Sequence, residues 1–197
     1  MNKLLLFFFI CACKFSFGQT KEYQNLLDTV FSSQEMTFIL KKPISHIQLD
    51  NSDMWEYFDF VENRYHISLD TIMFLQIIKN AKFADTTLWS ENEIHNKILL
   101  NNRHEFIKPK KGIEKLGITG KKECRIYRKI INEFNSLNIY DRNIYYYSRP
   151  IFNDTKSFAI IQRDNAHSGL GGGGGIYLYK FTNNSWRKIA SVELWQY

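Results

Sequence analysis

Asp164, His167 and Ser168 place a carboxylate, an imidazole and a hydroxyl on one short stretch of chain. These are the residue types of an acid–base–nucleophile set, in which the carboxylate orients the imidazole and the imidazole takes the hydroxyl proton. Their spacing on a single link matches no triad order, and Ser168 lacks the strand–turn–helix elbow that would expose its oxygen. His167 is more simply a polar link residue beside a ligand. The five consecutive glycines Gly171–Gly175 follow directly. Glycine-rich backbone cradles phosphate when it opens a helix whose first amides face the anion. Here Gly175 leads into Ile176–Phe181, an apolar run with strand character and no Lys-Ser/Thr after the glycines, which excludes a P-loop and a dinucleotide fingerprint. What remains is a side-chain-free loop between neighbouring strands, serving a packing or turn role, or else open to a ligand or a second backbone. His167, Ser168, Gly171, Gly172 and Gly173 are therefore the candidate ligand-binding residues, and no residue is assigned as catalytic.

Metal and polyanion chemistry have weaker footing. Glu91 and His95 stand one helical turn apart with His104 further on, but no His-Glu-x-x-His pattern or cysteine pair completes a shell. A solvated Glu–His pair is the plainer reading, and neither a metal nor a cofactor is expected. Lys121, Arg125, Arg128 and Lys129 form a basic stripe of the kind that ordinarily faces solvent. Cys124 is read as a small apolar residue on a helix face rather than a nucleophile.

Three apolar runs, Ser157–Gln162, Ile176–Phe181 and Trp186–Ser191, alternate with turn-rich links, the pattern of an antiparallel meander. Phe158 and Ile160 point to one face and Ala159 and Ile161 to the other. All four are apolar, so this strand is expected inside a sheet covered on both sides. Thr182-Asn183-Asn184-Ser185 suits a hairpin turn. Ile144–Tyr147 adds a strand, giving an expected four in the C-terminal sheet.

Upstream, Lys21–Ser33 has helical spacing, and Met36–Leu40 and Ile44–Leu49 read as short strands. Met54–Val61 fits either strand or helix. Ser68 is placed to cap a helix with Asp70 in its first turn and Phe74, Ile77, Ile78 and Ala81 as its buried stripe. Ser90-Glu91-Asn92-Glu93 has the form of a capping box, which predicts a second helix from Glu91 to about Asn102. Lys108–Gly120 is a loop or a short helix. A third helix is expected from Lys121 to about Asn135, with Cys124, Tyr127, Ile131 and Phe134 inward.

At 197 residues, with 16% aromatics and only 3 prolines, the chain is sized and composed for one folded domain. The N-terminus has the order of an export signal: Lys3, then the apolar run Leu4–Ala12, then Ser16-Phe17-Gly18 as a cleavage site. Cleavage after Gly18 makes residues 19–197 a single α+β domain. The alternative is a lipobox at Ile10-Cys11-Ala12-Cys13, with the mature protein anchored through Cys13. Removal of residues 1–18 takes Lys3 and Lys14 and no acid, lowering the net charge from +6 to +4. That mild basicity suits envelope or glycan contact and does not call for nucleic acid.

Ser148-Arg149-Pro150-Ile151-Phe152, Phe158-Ala159-Ile160-Ile161, the glycine run with Ile176-Tyr177-Leu178-Tyr179, and Trp186 together resemble the C-terminal segment of small exported proteins of uncharacterised function from Bacteroidota-type bacteria. The resemblance covers about the last quarter of the chain and implies export and a β-rich end. Function is then expected to be that of an exported, non-enzymatic binding or interaction domain. The alternative is an extracytoplasmic hydrolase-like enzyme using Asp164 or His167 as acid or base.

Overall fold

In a computed structural model, residues 21–32, 36–45, 54–166 and 171–196 are described. The strands are β1 (Phe38–Leu40), β2 (Ile98–Leu100), β3 (Ile144–Tyr147), β4 (Ile151–Phe152), β5 (Phe158–Ala166), β6 (Gly172–Thr182) and β7 (Ser185–Gln196). The helices are α1 (residues 21–30), α2 (Met54–Tyr65), α3 (Thr71–Ala81), α4 (Pro109–Lys115) and α5 (Lys121–Ser136).

One mixed seven-stranded sheet holds them, in the order β2-β1-β3-β5-β6-β7 with β4 added to β5. β1 runs parallel to β2 and β3, and β3, β5, β6 and β7 are successively antiparallel. This is the α+β class and the C-terminal meander expected from the sequence, on a sheet larger than the four strands anticipated. Of the three further strands, β1 falls within the run Met36–Leu40 read as a strand, while β2 and β4, of three and two residues, are too short to stand out by periodicity.

Alternation along β5 divides the core. Ile160 joins Ile176, Leu178, Ala190 and Val192 under α2 and α3, while Ala159 and Ile161 join Tyr147, Tyr177, Tyr179 and Trp186 against α1 and the Trp89–Ile94 segment. A third cluster seats α4 and α5 on Phe38, Ile98, Leu100 and Ile144. Each fully buried isoleucine contributes about 1.5–3 kcal/mol relative to exposure, so β5 is held from both faces. The β6–β7 turn has positive φ at Asn183 and Asn184, flanked by the Thr182–Ser185 pair. That is the two-residue turn whose twist matches antiparallel strands, and asparagine tolerates it.

Several expectations are corrected. The helix expected at Glu91–Asn102 is a single turn followed by β2. Half of the box forms: the Ser90 amide donates to Glu93 Oε2 at 2.9 Å, while the Glu93 and Ile94 amides go to the Ser90 carbonyl and not to its hydroxyl. Positive φ at Asn96 then ends the turn, and Ile98–Leu100 pairs with β1. The cap of α3 is Asp70, which accepts from the Ile72 amide at 2.8 Å, and not Ser68. Met54–Val61 is helical, as part of α2. Lys108–Gly120 carries α4, with Pro109 at its first turn, where its missing N–H has no cost. In α5, Ile131 and Phe134 are buried as expected, but Cys124 is only half-buried. The strand read at Ile44–Leu49 falls largely outside the described residues.

Candidate functional site

The glycine tract is a strand and not a loop. Gly172–Gly175 begin β6, paired to Ala166–Arg163 of β5, and Gly173–Gly175 also pair with β7. None of these glycines has positive φ, so their backbone conformation is open to any residue. Space selects them instead. A Cβ on Gly174 would run into the Asp164 carboxylate and stand 2.6 Å from the Arg163 carbonyl oxygen and 2.8 Å from Trp195. A Cβ on Gly175 would stand 2.5 Å from the Glu193 carbonyl oxygen and 3.3 Å from the Tyr177 ring. Neighbouring side chains already lie across the bare backbone, as rings lie across strand glycines.

Asp164 sits in β5 opposite Gly174, with hydrogen bonds from Gln162 and Trp195. Burial pushes its carboxyl up, against those two bonds. His167 and Ser168 lie outside the described residues, and Gly171 and Gly172 lead into β6. Glu91 and His95 share a turn rather than a helix face. Glu91 pairs with Lys115 at 2.7 Å. Both line a cavity of about 210 Å³ that also holds Lys97 and Lys115, whose charges disfavour a cation. Among the described residues no three potential ligands converge on a metal.

A larger opening, about 600 Å³, lies where α1, the end of α3 and β4 meet. Its walls include Tyr23, Phe152, Phe83 and Ile151, with Asn80, Asp85, Glu22 and Lys156 as polar groups. Phe83 is 81% exposed beside it, so an apolar ring stands in solvent at the mouth. The Asn80 amide is fixed, donating to the Phe152 carbonyl at 2.9 Å and to Asp154 at 3.1 Å.

Behind this opening stands Arg149, only 2% exposed. Its Nη1 donates to the Tyr23 hydroxyl at 2.5 Å and to Glu93, and its Nη2 donates to the Leu88 carbonyl at 2.7 Å. Its Nε donates to the Thr87 carbonyl at 3.1 Å, and the guanidinium lies 3.9 Å over the Trp89 ring. One cation thereby clamps the 85–93 segment to α1 and β4.

The clamp sets the ionisation of its partners. Burial pushes the Tyr23 phenol up to about 12 despite Arg149 beside it. Burial also opposes charge on Glu93 and Asp85, but hydrogen bonds outweigh it and hold both carboxyls below their ordinary range. Those bonds come from Arg149 and Ser90 to Glu93, and from Thr87 to Asp85. At neutral pH every member of the node keeps one protonation state.

No local pattern along the chain announces this node. Arg149 stands 126 residues from Tyr23 and 56 from Glu93. The available signal was an arginine set between two strands in an apolar stretch. Comparison with known proteins finds no matching protein family, curated protein or solved structure.

Proposed function

We propose that the protein is an exported, non-enzymatic binding domain that takes a small hydroxyl-rich ring ligand, of saccharide type, in the opening beside Tyr23 and Phe83. The observation that carries this reading is the unsatisfied Phe83 ring at the mouth of a cavity with fixed polar groups. An apolar ring face with a few placed polar groups is the common make-up of a small-molecule site. A sugar presents an apolar C–H face to the aromatic rings, and its hydroxyls donate to Asp85 and Glu22. General acid–base work needs a group whose pKa lies near the working pH. Tyr23 and Asp85 are displaced from neutrality in opposite directions, which favours binding over turnover at this wall. Export itself rests on the order of residues 2–18, and N-terminal sequencing of the mature protein checks it.

The test is ligand-detected NMR with a panel of neutral mono- and disaccharides against the wild-type protein and Phe83→Ala. Saturable binding that weakens about five- to thirtyfold in the variant is the expected result, an aromatic contact and its buried area being worth about 1–2 kcal/mol. Binding that ignores Phe83→Ala, or no saturable binding across the panel, sinks the reading. The hydrolase alternative has one observation in its favour, the carboxyl of Asp164 pushed up by burial, as a general acid requires. Activity on chromogenic glycosides and esters that disappears in Asp164→Asn would favour it instead.

A further inference from the structure

A second arginine, paired across from Tyr147 and so close to Arg149 in the sheet, stands in a different condition. Arg163 of β5 is exposed, and by register it shares a row with Tyr147, Gly175 and Leu194. Its guanidinium lies 5.2 Å over the Tyr177 ring and 6.0 Å over Tyr145. It donates to the Tyr177 hydroxyl at 3.3 Å and is also hydrogen-bonded to Tyr147. Lys188 of β7 places its ammonium 4.0 Å over the same Tyr177 ring. Two cations therefore engage one ring. Among the described residues neither is paired with a carboxylate, since the ion pairs formed are Lys115–Glu91, Lys129–Glu133 and those of Arg149.

The tyrosines below them are neutral. Burial pushes Tyr147 and Tyr179 up to about 12, so they offer ring faces and hydroxyls and no compensating charge. The strain falls on the lysine, whose pKa is lowered first by burial and then by Arg163, with Tyr65 of α2 acting against both. A Cβ on Gly175 would stand 3.3 Å from the Tyr177 ring that carries both cations, as well as closer to the Glu193 carbonyl and Leu194.

We infer that Arg163 and Lys188, held together on the Tyr177 ring, form an oxyanion-binding site, distinct from the opening beside Tyr23, for the phosphate or carboxylate group of a small solute. An oxyanion bridging them replaces a repulsion with two charge-assisted hydrogen bonds, and the planar guanidinium offers the fork that carboxylate and phosphate geometry fits. Gly173 lies on the same face beside Asn165 and adds no side chain of its own to that flank.

The test titrates inorganic phosphate and, separately, glucuronate into the whole mature protein at constant ionic strength. The readouts are the NMR signal of the Lys188 ammonium and tyrosine fluorescence. Saturable binding of either probe is expected, with the Lys188 pKa rising toward its ordinary value on saturation. The tighter probe shows whether a phosphate or a sugar carboxylate is the natural group. Arg163→Gln and Lys188→Gln should each weaken binding at least about tenfold, the worth of one charge-assisted hydrogen bond. Responses matched by sodium chloride at equal ionic strength would mean screening alone and overturn the inference. Saturable binding unaffected by either substitution would overturn it as well. Should a variant fold poorly, a wild-type Lys188 pKa that phosphate and glucuronate both leave unmoved is decisive against the site.

Discussion

Arg149 and Arg163 are the same residue type on two sides of Tyr147, one two residues beyond it in the chain and the other across from it in β5, and their surroundings assign them opposite tasks. Arg149 is sealed and bonded to Glu93, Tyr23 and two loop carbonyls. Arg163 is exposed, lies against the Tyr177 ring that Lys188 also covers, and is paired with no carboxylate among the described residues. A buried charge with its partners complete is a fixed strut, and removing it strands every group it satisfied. An exposed charge without an acid loses little on deletion and has bonding capacity left for a solute. The difference teaches that completeness of partners, more than charge or residue type, separates a structural arginine from a recognition arginine.

The largest effect expected from breaking this contrast is at the strut. Arg149→Met should cost about 3 kcal/mol or more in urea unfolding, because Glu93, Tyr23 and the Thr87 and Leu88 carbonyls lose their donor together. Arg163→Met should cost about 1 kcal/mol or less, the worth of its exposed cation–π contacts. Equal losses from the two would abolish the distinction.

The glycine tract comes next. Gly174→Ala should destabilise by about 2 kcal/mol through overpacking, since the Arg163 carbonyl oxygen is backbone and cannot step aside. Pairing it with Asp164→Gly should recover part of that loss and leave the backbone share. A silent Gly174→Ala would mean that β6 shifts freely between β5 and β7.

Acid titration sharpens the comparison by sign. Glu93 and Asp85 have carboxyls lowered in the folded state, so their stabilisation is complete above the unfolded carboxyl pKa and is lost as pH falls through the folded one. Glu93→Gln should flatten the acid limb of the stability curve. Asp164 is raised, so it opposes folding at neutral pH and ceases to do so once protonated in both states. Asp164→Asn should therefore help slightly at pH 7 and make no difference at low pH. Melting temperatures across the acid range read both.

The smallest effect belongs to Phe83. Being largely exposed, Phe83→Ala should move stability by no more than about 0.5 kcal/mol. Its consequence should be confined to the sugar titration, with phosphate binding at Arg163 untouched.

What the sequence disclosed follows the range of the forces involved. The two-sided apolar alternation of Phe158–Ile161 and the Asn183-Asn184 turn are local, and both stand in the structure as read. The box at Ser90–Glu93 was local too, but it specifies only one turn. Arg149 draws on Glu93 and Asn96 departs from helical φ, so tertiary demand overrides propagation. The glycines misled because flexibility is their commonest use, whereas here their lack of volume counts. The Arg149 node was illegible because its members are brought together from distant stretches of the chain.

The indole of Trp186 donates to the Glu22 carbonyl of α1, across 164 residues. The first described helix therefore completes its seat only with the start of β7 in place. β5, β6 and β7 are sequential neighbours that can zip in order, while α1 waits beside an incomplete sheet. Rates fall as contacts grow less local, so closure by α1 is a late event in assembly. A chain built this way closes its earliest described helix and its last described strand together.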